Sequence, residues 1–213
     1  MSDVAVYILG FVAQGLFSAR TIIQWISTER ARRIESPTAY WLFSVAGAWL
    51  LFLYGWLRDD FSIILGQVIS YYIYLWNLGV KGIWRRLPVV LKVVLLFTPS
   101  LAVVMILRDV TGFATEFFCN DSVPMWLLIF GSAGQVIFTL RFVYQWLYSR
   151  RRGDSSLPLG FWIMSILGSV VIVIYGAIRL DPILILGQSI GLVAYARNII
   201  IGLRTLNPLH NAE

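Results

Sequence analysis

The 213-residue chain is 13% charged and 59% hydrophobic, with 15% aromatic residues and a mean hydropathy of +0.77. A water-soluble domain would be roughly a quarter charged, so this balance excludes one and indicates an integral membrane protein. The net charge of +6 comes without any basic-aromatic binding module, which argues against nucleic acid as a partner.

Seven apolar stretches approach or exceed the roughly 18 residues that a helix needs to cross a bilayer. In chain order they are 5–26, 38–57, 62–80, 88–107, 125–148, 159–178 and 183–203. The first has no basic flank before it and recurs in mid-chain, so it is expected to be retained and not cleaved as a signal peptide. Pro37 and Pro158 open the second stretch of each half, where a first-turn proline leaves no amide unpaired. Arginines and lysines concentrate in alternate connections: Arg30, Arg32 and Arg33, then Lys81, Arg85, Arg86 and Lys92, then Arg150, Arg151 and Arg152, with Arg204 in the tail. The positive-inside rule then predicts seven spans, with the N-terminus periplasmic or external and the C-terminus cytoplasmic.

The chain is also written twice. Shifted by 121 positions, residues 7–82 fall on 128–203 without a gap, and 23 of those 76 pairs are identical. An exact period means duplication of one structural unit. The expected fold is an all-α polytopic membrane protein made of two parallel three-helix repeats, 5–84 and 125–205. A single helix over 88–107 joins them, and a cytoplasmic tail spans 206–213. One joining helix leaves both triplets facing the same way, related by an axis along the membrane normal.

Within segments where aliphatic residues interchange freely, polar residues hold: Gln14/Gln135, Arg20/Arg141, Gln24/Gln145, Gln67/Gln188, Tyr74/Tyr195 and Asn77/Asn198. Polar groups are expensive in hydrocarbon and need a reason to be there. Arg20 and Gln24 are four residues apart and share a helix face, as do Arg141 and Gln145. Each arginine either snorkels to the interface or grips a phosphate or carboxylate with its planar fork. The second alternative gives a headgroup site of Arg20, Arg141, Gln24 and Gln145, with Gln14, Gln67, Tyr74, Asn77 and their duplicates lining a path. Trp41 and Trp162 belong either to an interfacial belt or to a sugar-stacking surface. Tyr54, Arg58 and Asp60, with Tyr175, Arg179 and Asp181, mark the opposite end as an external gate, although the aspartates also suit helix capping. The repeated glycines Gly10/Gly131, Gly47/Gly168, Gly55/Gly176 and Gly66/Gly187 suit close helix packing.

No aspartate or glutamate lies within an apolar stretch, which disfavours a carboxylate proton relay. No nucleophile with an orienting base is visible, so catalysis is not expected. With one cysteine, Cys119, and one histidine, His210, neither a metal site nor a cofactor is expected.

The strings GFVAQGLFSARTIIQW and GSAGQVIFTLRFVYQW, with the motifs Q-x-x-F-x-x-R-x-x-x-Q-W, P-x-x-x-W-x-x-S, Y-G-x-x-R-x-D and L-G-Q, resemble the bacterial lipid A biosynthesis N-terminal domain. Two tandem copies cover most of both repeats. The family is named from copies that precede a lipid A disaccharide synthase catalytic domain, a domain this sequence does not contain. Other members accompany membrane glycosyltransferases that decorate lipid A from polyprenyl-phosphate sugars. The resemblance therefore implies a flippase for a polyprenyl-phosphate-linked sugar, with an aminosugar expected, and a glycosyltransferase and membrane lipids as further partners. The three-one-three plan is also similar to PQ-loop and SWEET transporters, without their Pro-Gln dipeptide. Two alternatives stand beside the flippase: a SWEET-like uniporter of a small soluble sugar, and a non-transporting subunit that docks a lipid A enzyme to the membrane.

Overall fold

The computed structural model describes residues 3–57, 61–108, 124–180 and 182–206. Among them the chain is all-helical, with eight helices: α1 (Asp3–Ala31), α2 (Thr38–Leu57), α3 (Phe61–Val80), α4 (Ile83–Arg86), α5 (Val89–Arg108), α6 (Met125–Arg152), α7 (Leu159–Ile178) and α8 (Pro182–Leu206). Helices are the form in which apolar segments satisfy their own backbone groups away from water. By length and composition, three of the described helices are apolar enough to cross a membrane: Val4–Ala31, Met125–Arg152 and Leu159–Ile178. The other expected spans coincide with α2, α3, α5 and α8.

Helix ends follow local chemistry. The amide of Tyr40 bonds to the Pro37 carbonyl at 3.0 Å, and Phe161 does the same to Pro158, so both prolines start their helices as expected. Helices α1 and α6 run several residues past their apolar stretches, because Ser-Thr-Glu-Arg and Tyr-Ser-Arg-Arg continue the helix into polar surroundings. Both then stop in the left-handed region, at Arg32 (φ 53°) and at its duplicate Gly153 (φ 69°). Only the second of these suits its residue type. The four-residue α4, which the apolar pattern does not announce, follows Gly82, itself left-handed at φ 74°.

Six long helices form a closed cycle of contacts. Within each repeat the second helix packs against the first and the third; between repeats, α3 meets α6 and α8 meets α1. The two seams are thus equivalent under the duplication. Helix α5 lies outside this cycle, pinned by Tyr72 Oη to Ser100 Oγ at 2.7 Å, and it exposes Val89, Val90 and Phe97. The centre is filled by Tyr40, Trp41, Tyr74, Phe142, Phe161, Trp162 and Tyr195.

Glycines set the close approaches within each repeat. A Cβ on Gly10 would stand 2.9 Å from the Tyr54 ring, and one on Gly131 would stand 2.6 Å from the Tyr175 ring. Each tyrosine thus packs onto the first helix of its own repeat.

Candidate functional site

The last turns of α1 and α6 and the loop after α1 carry the arginine clusters, and this basic end of the bundle is closed by two amide pairs. Gln24 Nε2 donates to Asn198 Oδ1 at 2.8 Å, while Asn198 Nδ2 donates back to Gln24 Oε1 at 3.0 Å. The duplicate pair, Gln145 and Asn77, makes the same exchange at 3.0 and 3.2 Å. All four side chains are fully buried. A carboxamide carries both donors and acceptors, so two of them can satisfy each other without any net charge. Each pair takes its glutamine from one repeat and its asparagine from the other, and so spans a seam.

These latches are anchored to the loops. Gln24 also donates to Thr28 Oγ1 at 2.9 Å and Gln145 to Ser149 Oγ at 2.8 Å. Thr28 and Ser149 in turn accept the backbone amides of Glu35 and Ser156, each at 3.1 Å. The copies differ in detail. Ser155 Oγ adds a bond to Asn77 Oδ1 at 2.8 Å, where the duplicated position in the other loop is Ile34. Conversely, Trp41 Nε1 donates to Ser36 Oγ at 2.9 Å, whereas buried Trp162 Nε1 has no partner because Leu157 stands where Ser36 would be. Near these loops, burial pushes the Lys81 ammonium down, opposed by the nearby charges of Asp154 and Glu35.

One helical turn further in lie Arg20 and Arg141, buried to 7% and 1% exposure. Both guanidiniums are walled by aromatic rings. Arg20 lies 4.4 Å from the Phe17 ring centre and 5.5 Å from Tyr74; Arg141 lies 3.3 Å from Phe138 and 5.6 Å from Tyr195. The Phe142 ring is shared, 5.5 Å from Arg20 and 4.7 Å from Arg141. Neither arginine makes an ion pair among the described residues. Arg20 Nη1 donates to Ser44 Oγ at 2.9 Å. Arg20 Nε, and both Nε and Nη1 of Arg141, have no hydrogen-bond partner among the described residues. Snorkelling does not describe these side chains, since they lie enclosed.

The structure therefore brings together Arg20, Arg141, Gln24, Gln145, Tyr74, Tyr195, Asn77, Asn198, Trp41 and Trp162 in one central cluster. The glutamines within it bond to asparagines and loop groups and not to the arginines. Gln188 lies further along, accepting from Ser169 Oγ at 2.8 Å, and Gln67 lines a small recess with Trp49, Phe52, Val68 and Tyr71. Gln14 and Gln135 are not brought in; both are exposed on their helices. At about 100° per residue, six positions from Gln14 to Arg20 turn the helix well off the shared face. Ala13, seven positions from Arg20, takes the inward place and is fully buried. Of the other gate residues, Arg179 is exposed at the end of α7, and Arg58, Asp60 and Asp181 lie outside the described residues. Residues missed by the sequence reading include Phe142, Ser44, Thr28 and Ser149. The repeated Ser44/Ser165 was the signal available for one of them.

The Lipid A Biosynthesis N-terminal domain matches residues 9–79 and, a second time, 130–200. The chain belongs to this family. It is similar to lipid-A-disaccharide synthase of Chlamydia pneumoniae, 29% identical over 202 residues that make up 91% of this chain and 33% of the relative. The corresponding protein of Chlamydia abortus is 29% identical over 96% of this chain and 34% of its own length. That of Chlamydia felis is 26% identical over 92% of this chain and 33% of its own length. The chain spans about a third of the length of the curated relatives it matches. No solved structure matches it. The two family matches coincide with the two helical triplets, 9–79 with α1–α3 and 130–200 with α6–α8. Membership links the chain to lipid A biosynthesis.

Proposed function

We propose that the protein moves a polyprenyl-phosphate-linked sugar, expected to be an aminosugar, across the bacterial inner membrane for modification of lipid A. The observation that carries this reading is the buried pair Arg20 and Arg141, with donors left open and no carboxylate bound to either among the described residues. An uncompensated charge in a low-dielectric interior is costly, and a lipid phosphate at that depth would compensate it. Tyr74, Tyr195, Trp41 and Trp162 border the same cluster and offer surfaces for a sugar. On this reading the chain spans the membrane seven times, with the basic end cytoplasmic and the N-terminus periplasmic.

The two amide latches suit a cytoplasmic gate. Carboxamide pairs exchange their hydrogen bonds for water at small net cost, typically about 1 kcal/mol each, so they can open without stranding a charge. Transport would then consist of rocking one triplet against the other about the two seams.

The test is reconstitution into liposomes with a fluorescent polyprenyl-phosphate sugar, reading its accessibility to an external quencher. Movement above that in protein-free liposomes is expected, and none from inserted, folded protein would sink the reading. A second reading is a membrane subunit that docks a lipid A enzyme or a glycosyltransferase. It is favoured by the apolar outer face of α5 and by relatives in which the matched region is a third of a synthase. Co-purification with such an enzyme, together with no lipid movement, would establish it instead.

A further inference from the structure

The duplication makes Arg20 and Arg141 formally equivalent, yet their surroundings differ. Arg20 is tethered: its Nη1 donates to Ser44 Oγ at 2.9 Å, and that hydroxyl donates onward to the Tyr40 carbonyl at 2.6 Å. Ser165, the duplicate of Ser44, donates to the Phe161 carbonyl at 2.6 Å but takes no bond from Arg141. Arg141 consequently keeps two open donors, Nε and Nη1, against one for Arg20. It is also the more deeply enclosed of the two. The difference in open donors comes from side-chain placement and not from residue type, because the serine is present in both copies.

We infer that the two arginines do not share the anion equally: Arg141 grips a single phosphate group, and Arg20 is a positioning residue that fixes the aromatic wall around it. This rests on the lipid-phosphate reading above. The physical ground is satisfaction. A buried donor with no partner gains a full charge-assisted bond when an anion arrives, whereas a donor already bonded to a hydroxyl must exchange one bond for another. The aromatic packing follows the same division. The Arg20 guanidinium lies within 5.5 Å of Phe17, Tyr40, Tyr74 and Phe142, rings from four helices of both repeats, which places it as a hub of the core. Recognition by one arginine fits a phosphodiester, which carries one charge, better than a diphosphate.

The test measures binding of a short-chain polyprenyl methyl phosphodiester and of the matching uncharged alcohol to the full chain in nanodiscs. The proteins compared are wild type, Arg141→Lys, Arg20→Lys and Ser44→Ala. Wild type is expected to prefer the phosphate over the alcohol. Arg141→Lys should lose that preference by about tenfold or more, the scale of a lost charge-assisted grip. Ser44→Ala should keep the preference within about threefold while lowering the unfolding midpoint, and Arg20→Lys should lose less than about tenfold of it. A tenfold loss of preference in Arg20→Lys or Ser44→Ala overturns the inference, whatever Arg141→Lys does. So does full retention in Arg141→Lys. Absence of any phosphate preference in folded wild type overturns the lipid-phosphate reading itself. If Arg141→Lys fails to fold, the two other variants still decide the matter.

Discussion

Gln24 and Asn198, 174 positions apart, exchange two hydrogen bonds between fully buried carboxamides, at 2.8 and 3.0 Å. The duplicated positions Gln145 and Asn77 make the same exchange at the other seam. Neither bond pair involves a charge, so the strength of these two latches does not depend on pH or salt.

Truncating one partner leaves the other's donors and acceptors buried and open. Gln24→Ala or Asn198→Ala should each lower stability by about 1–3 kcal/mol. The double variant should cost less than the sum, giving a coupling energy in a double-mutant cycle of unfolding in detergent. Additive losses would mean that the two amides do not act as a pair.

Arg32 and Gly153 end the first helix of each repeat in the left-handed region, at φ 53° and 69°. An L-residue there is strained and glycine is not. Arg32→Gly should therefore stabilise the protein by about 1 kcal/mol, and Gly153→Arg should destabilise it by a similar amount. Thermal unfolding midpoints that move in opposite directions would bear this out; movement in the same direction would refute it.

Much of this architecture was legible in the sequence, for a definite reason. The apolar stretches 38–57 and 159–178 coincide with α2 and α7, because in hydrocarbon an apolar run and a helix are nearly the same statement. The repeat of Arg20, Gln24, Tyr74 and Asn77 marked residues that do come together in the centre. What one chain's pattern lacks is partner assignment. Gln24, four residues from Arg20 on the same face, reads from sequence as part of one headgroup site with it, yet its bonds go to Asn198 on a helix of the other repeat. Depth along a helix can be counted from sequence, whereas contact between helices depends on rotation and order around the bundle. Gln14 shows the first limit, since retention in both copies did not make it inward-facing. Ser44 shows the second: its bond to Arg20 and the missing bond of Ser165 to Arg141 come from identical residue types.

Glycine packing gives a graded test. A Cβ on Gly168 would meet the backbone nitrogen of Phe138 at 2.9 Å, while one on Gly47 meets only side-chain and carbonyl atoms at 3.2–3.3 Å, and one on Gly15 meets nothing within 4 Å. Backbone cannot step aside as a side chain can. Gly168→Ala should cost about 1–3 kcal/mol as an overpacking change, Gly47→Ala less, and Gly15→Ala nothing. The order of the three unfolding midpoints checks this.

Glu29 and Arg197 form a two-toothed ion pair across the α1–α8 seam, with the Nη2 bond at 3.0 Å. The duplicate seam instead carries an edge-to-face contact of Trp76 with Trp146, the ring planes at 83°. Both charged side chains are more than a third exposed, so solvent screens them. Glu29→Gln should leave the unfolding midpoint within the scatter of repeat measurements at physiological salt, whereas Trp146→Ala should lower it clearly. A large drop in Glu29→Gln would show that the ion pair, and not the amide latch beside it, holds that seam.

Orientation can be read with the native cysteine. Cys119, outside the described residues, falls in the connection expected on the periplasmic side. A membrane-impermeant maleimide should label it in intact spheroplasts, and Cys119→Ser should abolish the signal. Labelling only after lysis would reverse the orientation.

The crossing of the latches has a consequence for the duplication itself. Every buried glutamine at the closed end finds its asparagine in the other copy, so neither triplet is self-sufficient: alone, its glutamine and asparagine would lose every cross-seam bond and keep only those to their own helix and loop. The two copies are therefore bound to one another as lock and key in both directions. Drift in one latch residue of one repeat is answerable only by change in the other, which accounts for residues so polar remaining twinned while the aliphatic positions around them wander.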